Sequence, residues 1–476
     1  MLHLLARRLA STSRTAKPVT DPGFREMMEI MIDNAASKVT LEPSFVSGLK
    51  KCDHVIRVNI PLERDDGTVK FYPGYRAHHK SHVSPFKGGV RYTPTVDLQE
   101  VEALASITSI KLACLDLPFA GAEGGIQVDP RDLSTTELER LTRRYTLELF
   151  SRGFMGPAID VLGPDLGTNE TIMAWIMDEY RRSNPEDTNA IGSVTGKPVG
   201  IGGIQGRAQS PGLGLYEVLK DFVEDGVSIP TLTPTLEGKS FIVEGFGALG
   251  FSFSDLIVNR AGGKVVGIIE WDGGSYNPEG LDIDAIKQHF NIHQTVKGFP
   301  GGKTFARGSD IRKKPCDVFV PAALQYTINA KNWSELNCKV VLEGANGAIT
   351  PHAETQLIKN GVAILPDVLA SSGGAIVSYF EYVKDLRNIE VGKLEKRWRQ
   401  KAYEPLLEEV RNITGEEIDI DIEAGEAELV FTGLSKILRK ACRETKETAR
   451  RYNCTFREAA YINGIMRIQA NSKFQG

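Results

Sequence analysis

Gly245-Phe246-Gly247-Ala248-Leu249-Gly250 is the stretch that decides the fold. A short apolar run, Ser240 to Glu244, leads into it, a helical pattern over residues 249–260 leaves it, and a β-branched run from Lys264 to Glu270 follows. Glycines spaced Gly-x-Gly-x-x-Gly at a strand-to-helix turn permit the tight turn, the close approach of a pyrophosphate and close helix–strand packing, with the helix N-terminus facing the phosphates. Glu270 stands twenty residues after Gly250, at the end of the second strand, where an acid bonds the adenosine ribose hydroxyls. An acid there repels a 2′-phosphate, so the expected cofactor is NAD rather than NADP. The glycines alone would also suit a βα turn with no ligand; strand, helix and acid together favour the nucleotide.

Further short apolar runs follow at 318–320, 340–342 and 362–365, separated by helical patterns, and from Val377 the chain reads as mostly helical. That rhythm predicts a parallel sheet covered on both faces. On the N-terminal side, residues 53–62 and 69–76 read as strands joined at Asp65-Asp66-Gly67, and Ser134 with Glu137 forms a capping box opening a helix to about Phe150. Glycine and proline crowd residues 195–214, which marks either a domain junction or a ligand loop. The expected fold class is α/β: a substrate and oligomerisation domain over 21–205, a doubly wound Rossmann domain over 206–376, and C-terminal helices over 377–476 packing back on the first domain.

Composition fits that picture. The 476 residues carry 57 Lys plus Arg against 61 Asp plus Glu, which leaves no polybasic footprint for nucleic acid. There is no run of about 18 apolar residues, so no membrane span is expected. The six cysteines are scattered without a Cys-x-x-Cys pair, the pattern of neither a cysteine zinc site nor a disulfide scaffold. His78, His79 and His82 have no acidic or cysteine partner close by in sequence, and no metal is expected. Residues 1–20 differ from the rest: Arg7, Arg8, Arg14 and Lys17 lie among hydroxyl residues and spaced leucines with no acid, which reads as a mitochondrial transit segment and a matrix location.

A second constellation runs from Gly74 to Arg91, where Lys87 precedes Gly88-Gly89; Lys111 follows in Ser109-Ile110-Lys111-Leu112-Ala113. Two lysines on glycine-opened backbone suit the two carboxylates of a small diacid. With Val194-Thr195-Gly196-Lys197-Pro198, Glu343-Gly344-Ala345-Asn346-Gly347 and Val377-Ser378-Tyr379-Phe380-Glu381, the chain from about residue 25 onward resembles the glutamate dehydrogenase family, in its short form without the antenna insertion. The resemblance implies oxidative deamination of L-glutamate to 2-oxoglutarate and ammonia with NAD, in a homo-oligomer that is a hexamer by family. It further implies that Lys87, Lys111 and Ser378 bind substrate carboxylates, that Asp165 shuttles the proton, and that Asn346 meets the nicotinamide side.

The pattern breaks where the chemistry sits. The family's Gly-Gly-Ala-Lys-Gly-Gly loop is here Ala120-Gly121-Ala122-Glu123-Gly124-Gly125, so Glu123 replaces the catalytic lysine that activates the attacking water. Two unit charges about 4–5 Å apart at an effective dielectric near 20 interact by roughly 4 kcal/mol, so exchanging attraction for repulsion weakens binding of a dianion before any chemistry. Pro211 stands for a threonine, Ala248 for an asparagine, and Ser371 for an asparagine. Three readings follow: a catalytically impaired paralogue with a structural or regulatory mitochondrial role, an active NAD-linked glutamate dehydrogenase, or a dehydrogenase for a less anionic substrate. Finally, residues 416–428 hold seven acids and no base, with Ile418, Ile420 and Ile422 alternating between them. That strip reads either as a charged edge strand or as a docking strip for a basic protein partner.

Overall fold

The computed structural model describes residues 20–387, 396–415 and 425–473. The leader over 1–19 and the acidic strip over 416–424 lie outside the described residues.

Two sheets organise the chain. The first has the order β1-β2-β4-β3-β5, formed by β1 (His54–Glu63), β2 (Val69–His78), β3 (Phe86–Thr93), β4 (Ala120–Gln127) and β5 (Asp160–Pro164). It is mixed: β1 and β4 each run antiparallel to β2, while β4 and β5 flank β3 in parallel. The parallel core carries glycines because neighbours press on it. A Cβ on Gly121 would stand 2.2 Å from the Ser109 backbone nitrogen, so only glycine lets the helix Leu98–Cys114 lie directly on β4. That helix is buried along most of its length, and the C-terminal helix Phe456–Ser472 packs on it through Ala460, Tyr461 and Ile465. The expected capping box is formed: Ser134 and Glu137 open the helix Thr135–Phe150 reciprocally.

The second sheet has the order β12-β11-β10-β6-β7-β8-β9. Its strands β6 (Ser240–Glu244), β7 (Lys264–Glu270), β10 (Val318–Pro321), β11 (Val340–Leu342) and β12 (Ala363–Leu365) are parallel, and β8 (Gly273–Tyr276) and β9 (Lys303–Phe305) extend one edge antiparallel. Unbroken apolar strands such as Phe241-Ile242-Val243 are fully buried, the signature of a sheet covered on both faces. Beyond it the helices Gly373–Leu386, Lys396–Thr414 and Glu426–Tyr452 follow.

One ionic knot ties the crossing between the two sheets. Lys197 Nζ donates to Glu381 at 2.9 Å and to Asp385 at 2.7 Å, and Gly196 N–H donates to the same Glu381 carboxylate. Burial opposes the charge on Glu381, but Lys197 and Arg207 hold its carboxyl below the usual range. The glycine-rich stretch after residue 195 is therefore pinned to the helix Gly373–Leu386, and the cleft residues on both are fixed together.

Candidate functional site

The cleft begins with a lysine that has no partner. Lys87 on β3 is buried, and its ammonium meets no acceptor within hydrogen-bond reach among the described residues. Burial, helped by the nearby Arg207 and Arg76 guanidinium groups, lowers its pKa to about 7. Beside it the hydroxyl of Thr195, fully buried, also lacks a hydrogen bond. Arg207 reaches the same end of the cleft, donating to the Ser378 hydroxyl at 2.8 Å. Lys87, Thr195, Arg207 and Ser378 thus form a donor-rich pocket end suited to a carboxylate.

The other end is acidic. Glu123 on β4 is 5% exposed; one carboxylate oxygen accepts from Gly89 N–H at 3.2 Å and the other has no partner. Burial and the neighbouring Asp165 push its pKa up to about 7, against the opposing pull of Arg91 and Arg76. Those arginines are committed elsewhere. Arg91 holds Asp165 at 2.9–3.0 Å and Glu100 at 2.5 Å, and Arg76 holds Asp160 at 2.6 Å and the Gly89 carbonyl at 2.6 Å. They soften the field at Glu123 without standing free to meet a substrate.

Lys111 reaches the second sheet's side of the site. It sits on the helix Leu98–Cys114 but donates across the cleft to Asn346 Oδ1 at 2.7 Å and to Ser371 Oγ at 2.8 Å. Lys111, expected at a substrate carboxylate, and Asn346, expected at the nicotinamide side, thus meet each other. Pro211 lies in the first turn of the helix Ser210–Glu224, where a missing N–H costs no intrahelical bond.

The nucleotide loop lies at the carboxyl edge of the second sheet. Gly245 has φ +103°, and a Cβ on Gly250 would stand 1.9 Å from the Gly245 carbonyl, so both positions require glycine. A Cβ on Gly247 would meet nothing within 4 Å, which leaves the backbone open to a phosphate at the start of the helix Ala248–Asp255. Glu270 accepts the Phe246 N–H with one oxygen, so it braces this loop and has a second oxygen left for a ribose hydroxyl. These residues fit the adenosine and phosphate half of a dinucleotide.

A model described as Glu/Leu/Phe/Val dehydrogenase, dimerisation domain, matches residues 52–182, and one described as Glutamate/Leucine/Phenylalanine/Valine dehydrogenase matches residues 202–416. The mitochondrial glutamate dehydrogenase of Dictyostelium discoideum is 39% identical over 458 residues, covering 94% of this chain and 91% of its own. The chain belongs to the Glu/Leu/Phe/Val dehydrogenase family. The NAD-specific glutamate dehydrogenase of Peptoniphilus asaccharolyticus is 35% identical over 447 residues, 93% of this chain and 96% of that one. Among solved structures, the hetero-hexameric glutamate dehydrogenase of Thermus thermophilus in its Leu-bound form superposes with a TM-score of 0.81 at 30% identity, covering 97% of this chain and 99% of that one.

Of the residues singled out in this family member's sequence, Lys87, Glu123, Asp165 and Ser378 gather around one cleft, Lys111 and Asn346 meet each other, and Gly245, Gly247, Gly250 and Glu270 form the separate nucleotide loop. The sequence reading missed Arg91, Arg207 and Thr195. The two arginines stood inside glycine-rich stretches already marked, and an arginine there was the available signal; an orphaned threonine hydroxyl leaves no trace in sequence. Two histidines have structural partners instead: His78 pairs with Asp160 at 2.8 Å, and His79 with the Leu49 carbonyl at 2.7 Å. The end of the acidic strip is also corrected. Glu426 begins the helix Glu426–Tyr452, is buried, and pairs with Lys384 at 3.0 Å, so it offers nothing to a basic partner.

Proposed function

We propose that this chain is a catalytically impaired glutamate dehydrogenase paralogue with a structural or regulatory role in the mitochondrial matrix. The observation that carries the reading is Glu123: a buried carboxylate, half unpartnered, at the position of the family's catalytic lysine, with Arg91 and Arg76 spent on other acids. Among the described residues the cations beside Glu123, Arg91 and Arg76, are both paired, and the unpartnered Lys87 stands at the carboxylate end, so none is placed to activate water or to steady the charge that develops at the substrate carbon. The engagement of Lys111 with Asn346 and Ser371 supports the same reading, since it takes one carboxylate-binding lysine and one cofactor contact out of use.

Gly245, Gly247, Gly250 and Glu270 would hold the adenosine and phosphate half of NAD, which accepts a hydride when bound. The matrix assignment is supported by the arginine-rich leader and by the mitochondrial relative in Dictyostelium. A homo-oligomer, hexameric by family, is the expected assembly; the hetero-hexameric Thermus relative makes an active partner chain a second arrangement to look for.

The alternative reading, an active NAD-dependent glutamate dehydrogenase, draws on one observation: a pKa near 7 suits Glu123 to general-base work at neutral pH. NADH formation from L-glutamate by the purified chain, with ammonia and 2-oxoglutarate tried in reverse, separates the two. Background rates support the impaired paralogue, and family-like rates overturn it.

A further inference from the structure

The contact between Lys111 and Asn346 joins residues 235 positions apart, and one helix stands behind both of them. The C-terminal helix Phe456–Ser472 meets the Lys111 side through Gly464. A Cβ on Gly464 would stand 2.6 Å from the Ile110 carbonyl oxygen, so the helix lies directly on the backbone next to Lys111. The same helix meets the Asn346 side through Arg457, two turns earlier on the same face.

Arg457 is buried, and its guanidinium is spent on three carboxylates. It donates to Glu343, to Glu354 at 2.7 Å and to Asp367 at 2.9 Å. Two of these acids hold the loop that carries Asn346. Glu343 accepts the Ile349 N–H with one oxygen and the Asp367 N–H with the other, both at 3.0 Å. Asp367 accepts the Gly347 N–H at 2.8 Å, and its carbonyl accepts the Ser371 hydroxyl at 2.8 Å. Asn346 and Ser371, the two acceptors of Lys111, therefore hang on acids that Arg457 holds. Glu354 differs, because one of its oxygens meets Arg457 and the other has no partner. Burial, against the pull of Arg457, raises Glu343 to about 8, so the cluster keeps a proton at neutral pH. A planar fork of donors reaches three acids at once, which the point charge of a lysine does not.

We infer that Arg457 is a positioning residue of the cleft. Through Glu343 and Asp367 it sets Asn346 and Ser371 opposite Lys111. With Gly464 it makes the C-terminal helix a clamp that keeps the lysine and its two acceptors on one another and away from ligands. This rests on the assignment of Lys111 to the substrate side and Asn346 to the nicotinamide side, and it is independent of whether the chain turns over.

Brief acetylation of the full chain with acetic anhydride, read by peptide mass spectrometry, measures how available each lysine is. Lys87 is the internal control: it is buried in the same cleft, and its charged neighbours, Arg207, Arg76, Asp160 and Glu381, take no part in the Arg457 cluster. Arg457→Lys, which keeps the charge and loses the fork, is expected to raise the Lys111 rate about tenfold or more, as is Gly464→Ala, which pushes the helix off Ile110; Lys87 should stay within about twofold in both. Glu354→Gln removes the one acid without a tie to the loop and should leave both lysines unchanged. An unchanged Lys111 rate in either folded variant would overturn the inference. So would Lys87 rising in step with Lys111, which is general loosening, or the same rise in Glu354→Gln. If Arg457→Lys does not fold, Gly464→Ala decides alone. NADH formation measured separately reports on the impaired-paralogue reading, so a failure of either idea is distinguishable from a failure of the other.

Discussion

Gly89 and Gly163 face each other in register across β3 and β5, and the space left by one opens onto Glu123 while that left by the other opens onto Lys87. The polarity of the cleft is thus built from two absent side chains on neighbouring strands. Substitution at Gly163 acts on the site before it acts on the fold, because the nearest obstacle is the end of the Lys87 side chain, whereas at Gly89 the Asp165 Cβ at 2.8 Å also stands in the way.

Gly163→Ala makes this measurable. The new methyl group meets Lys87 Nζ, the far end of a flexible chain, so stability should change by under about 1 kcal/mol while L-glutamate affinity falls more than tenfold. At Gly88, by contrast, a Cβ would stand 1.6 Å from the Ala122 carbonyl, and Gly88→Ala should cost about 3 kcal/mol or more through backbone overpacking. Paired urea melts and calorimetry on the two variants check the contrast.

Stability should also follow pH through Glu123. Its pKa is raised by burial and Asp165 from 4.5 to about 7, so the folded chain takes up a proton that the unfolded chain releases. The stabilising share is fully present below pH 4.5 and is lost as the pH rises through 7; Glu343, raised to about 8 by burial, acts in the same direction. Glu123→Gln keeps the acceptor for Gly89 N–H and removes the titration. It should therefore be more stable than the parent at pH 8, by on the order of 3 kcal/mol, and equal to it near pH 4.5. Urea unfolding at the two pH values tests the sign; a variant that gains nothing at pH 8 contradicts it.

The fold was legible because its signals are local. Strand, Gly-x-Gly-x-x-Gly, helix and Glu270 follow one another within 31 residues, and the Ser134–Glu137 box closes over a single turn. The cleft was legible only in part. Lys87, Glu123 and Asp165 carry their identity in motifs, but Lys111 meets Asn346 and Ser371 across 235 and 260 residues of chain. Nothing in the sequence near Lys111 says which acceptors will fold opposite it. The commitment of Arg91 to Asp165, 74 residues away, was hidden for the same reason.

That long-range contact yields its own expectation. Removing the Lys111 ammonium leaves Asn346 Oδ1 and Ser371 Oγ facing an apolar side chain, so Lys111→Met should lose about 1–3 kcal/mol. If Lys111 instead pointed freely into the cleft, relieving its burial would raise stability. Thermal melts of this variant beside Lys87→Met, whose ammonium has no acceptor to abandon, distinguish the two lysines.

Dinucleotide binding should be lopsided. The loop at Gly245, Gly247 and Gly250 is intact and braced by Glu270, whereas Asn346 and Ser371 already receive Lys111 and Ala248 offers no polar group. Calorimetry should therefore find NAD and ADP-ribose within about threefold of each other, less than 0.7 kcal/mol apart. An advantage for NAD of tenfold or more would mean that the nicotinamide half is held after all.

Turnover gives the most demanding expectation. With a carboxylate, Glu123, in place of the family's lysine and both neighbouring arginines paired, glutamate oxidation should stay at background at neutral pH. Lowering the pH protonates Glu123 and removes repulsion, but it supplies neither a base nor a cation, so the rate should rise little. Glu123→Lys alone should also recover little. Ser371 and Asn346 would still hold Lys111, and Pro211 and Ala248 would still lack the family's polar groups. Restoring lysine at 123, threonine at 211 and asparagine at 248 and 371 together should recover far more than the sum of the single changes, because groups that act as a unit are non-additive. Initial rates of NADH formation across the single and quadruple variants decide it. Strictly additive recovery would show that the four positions act independently.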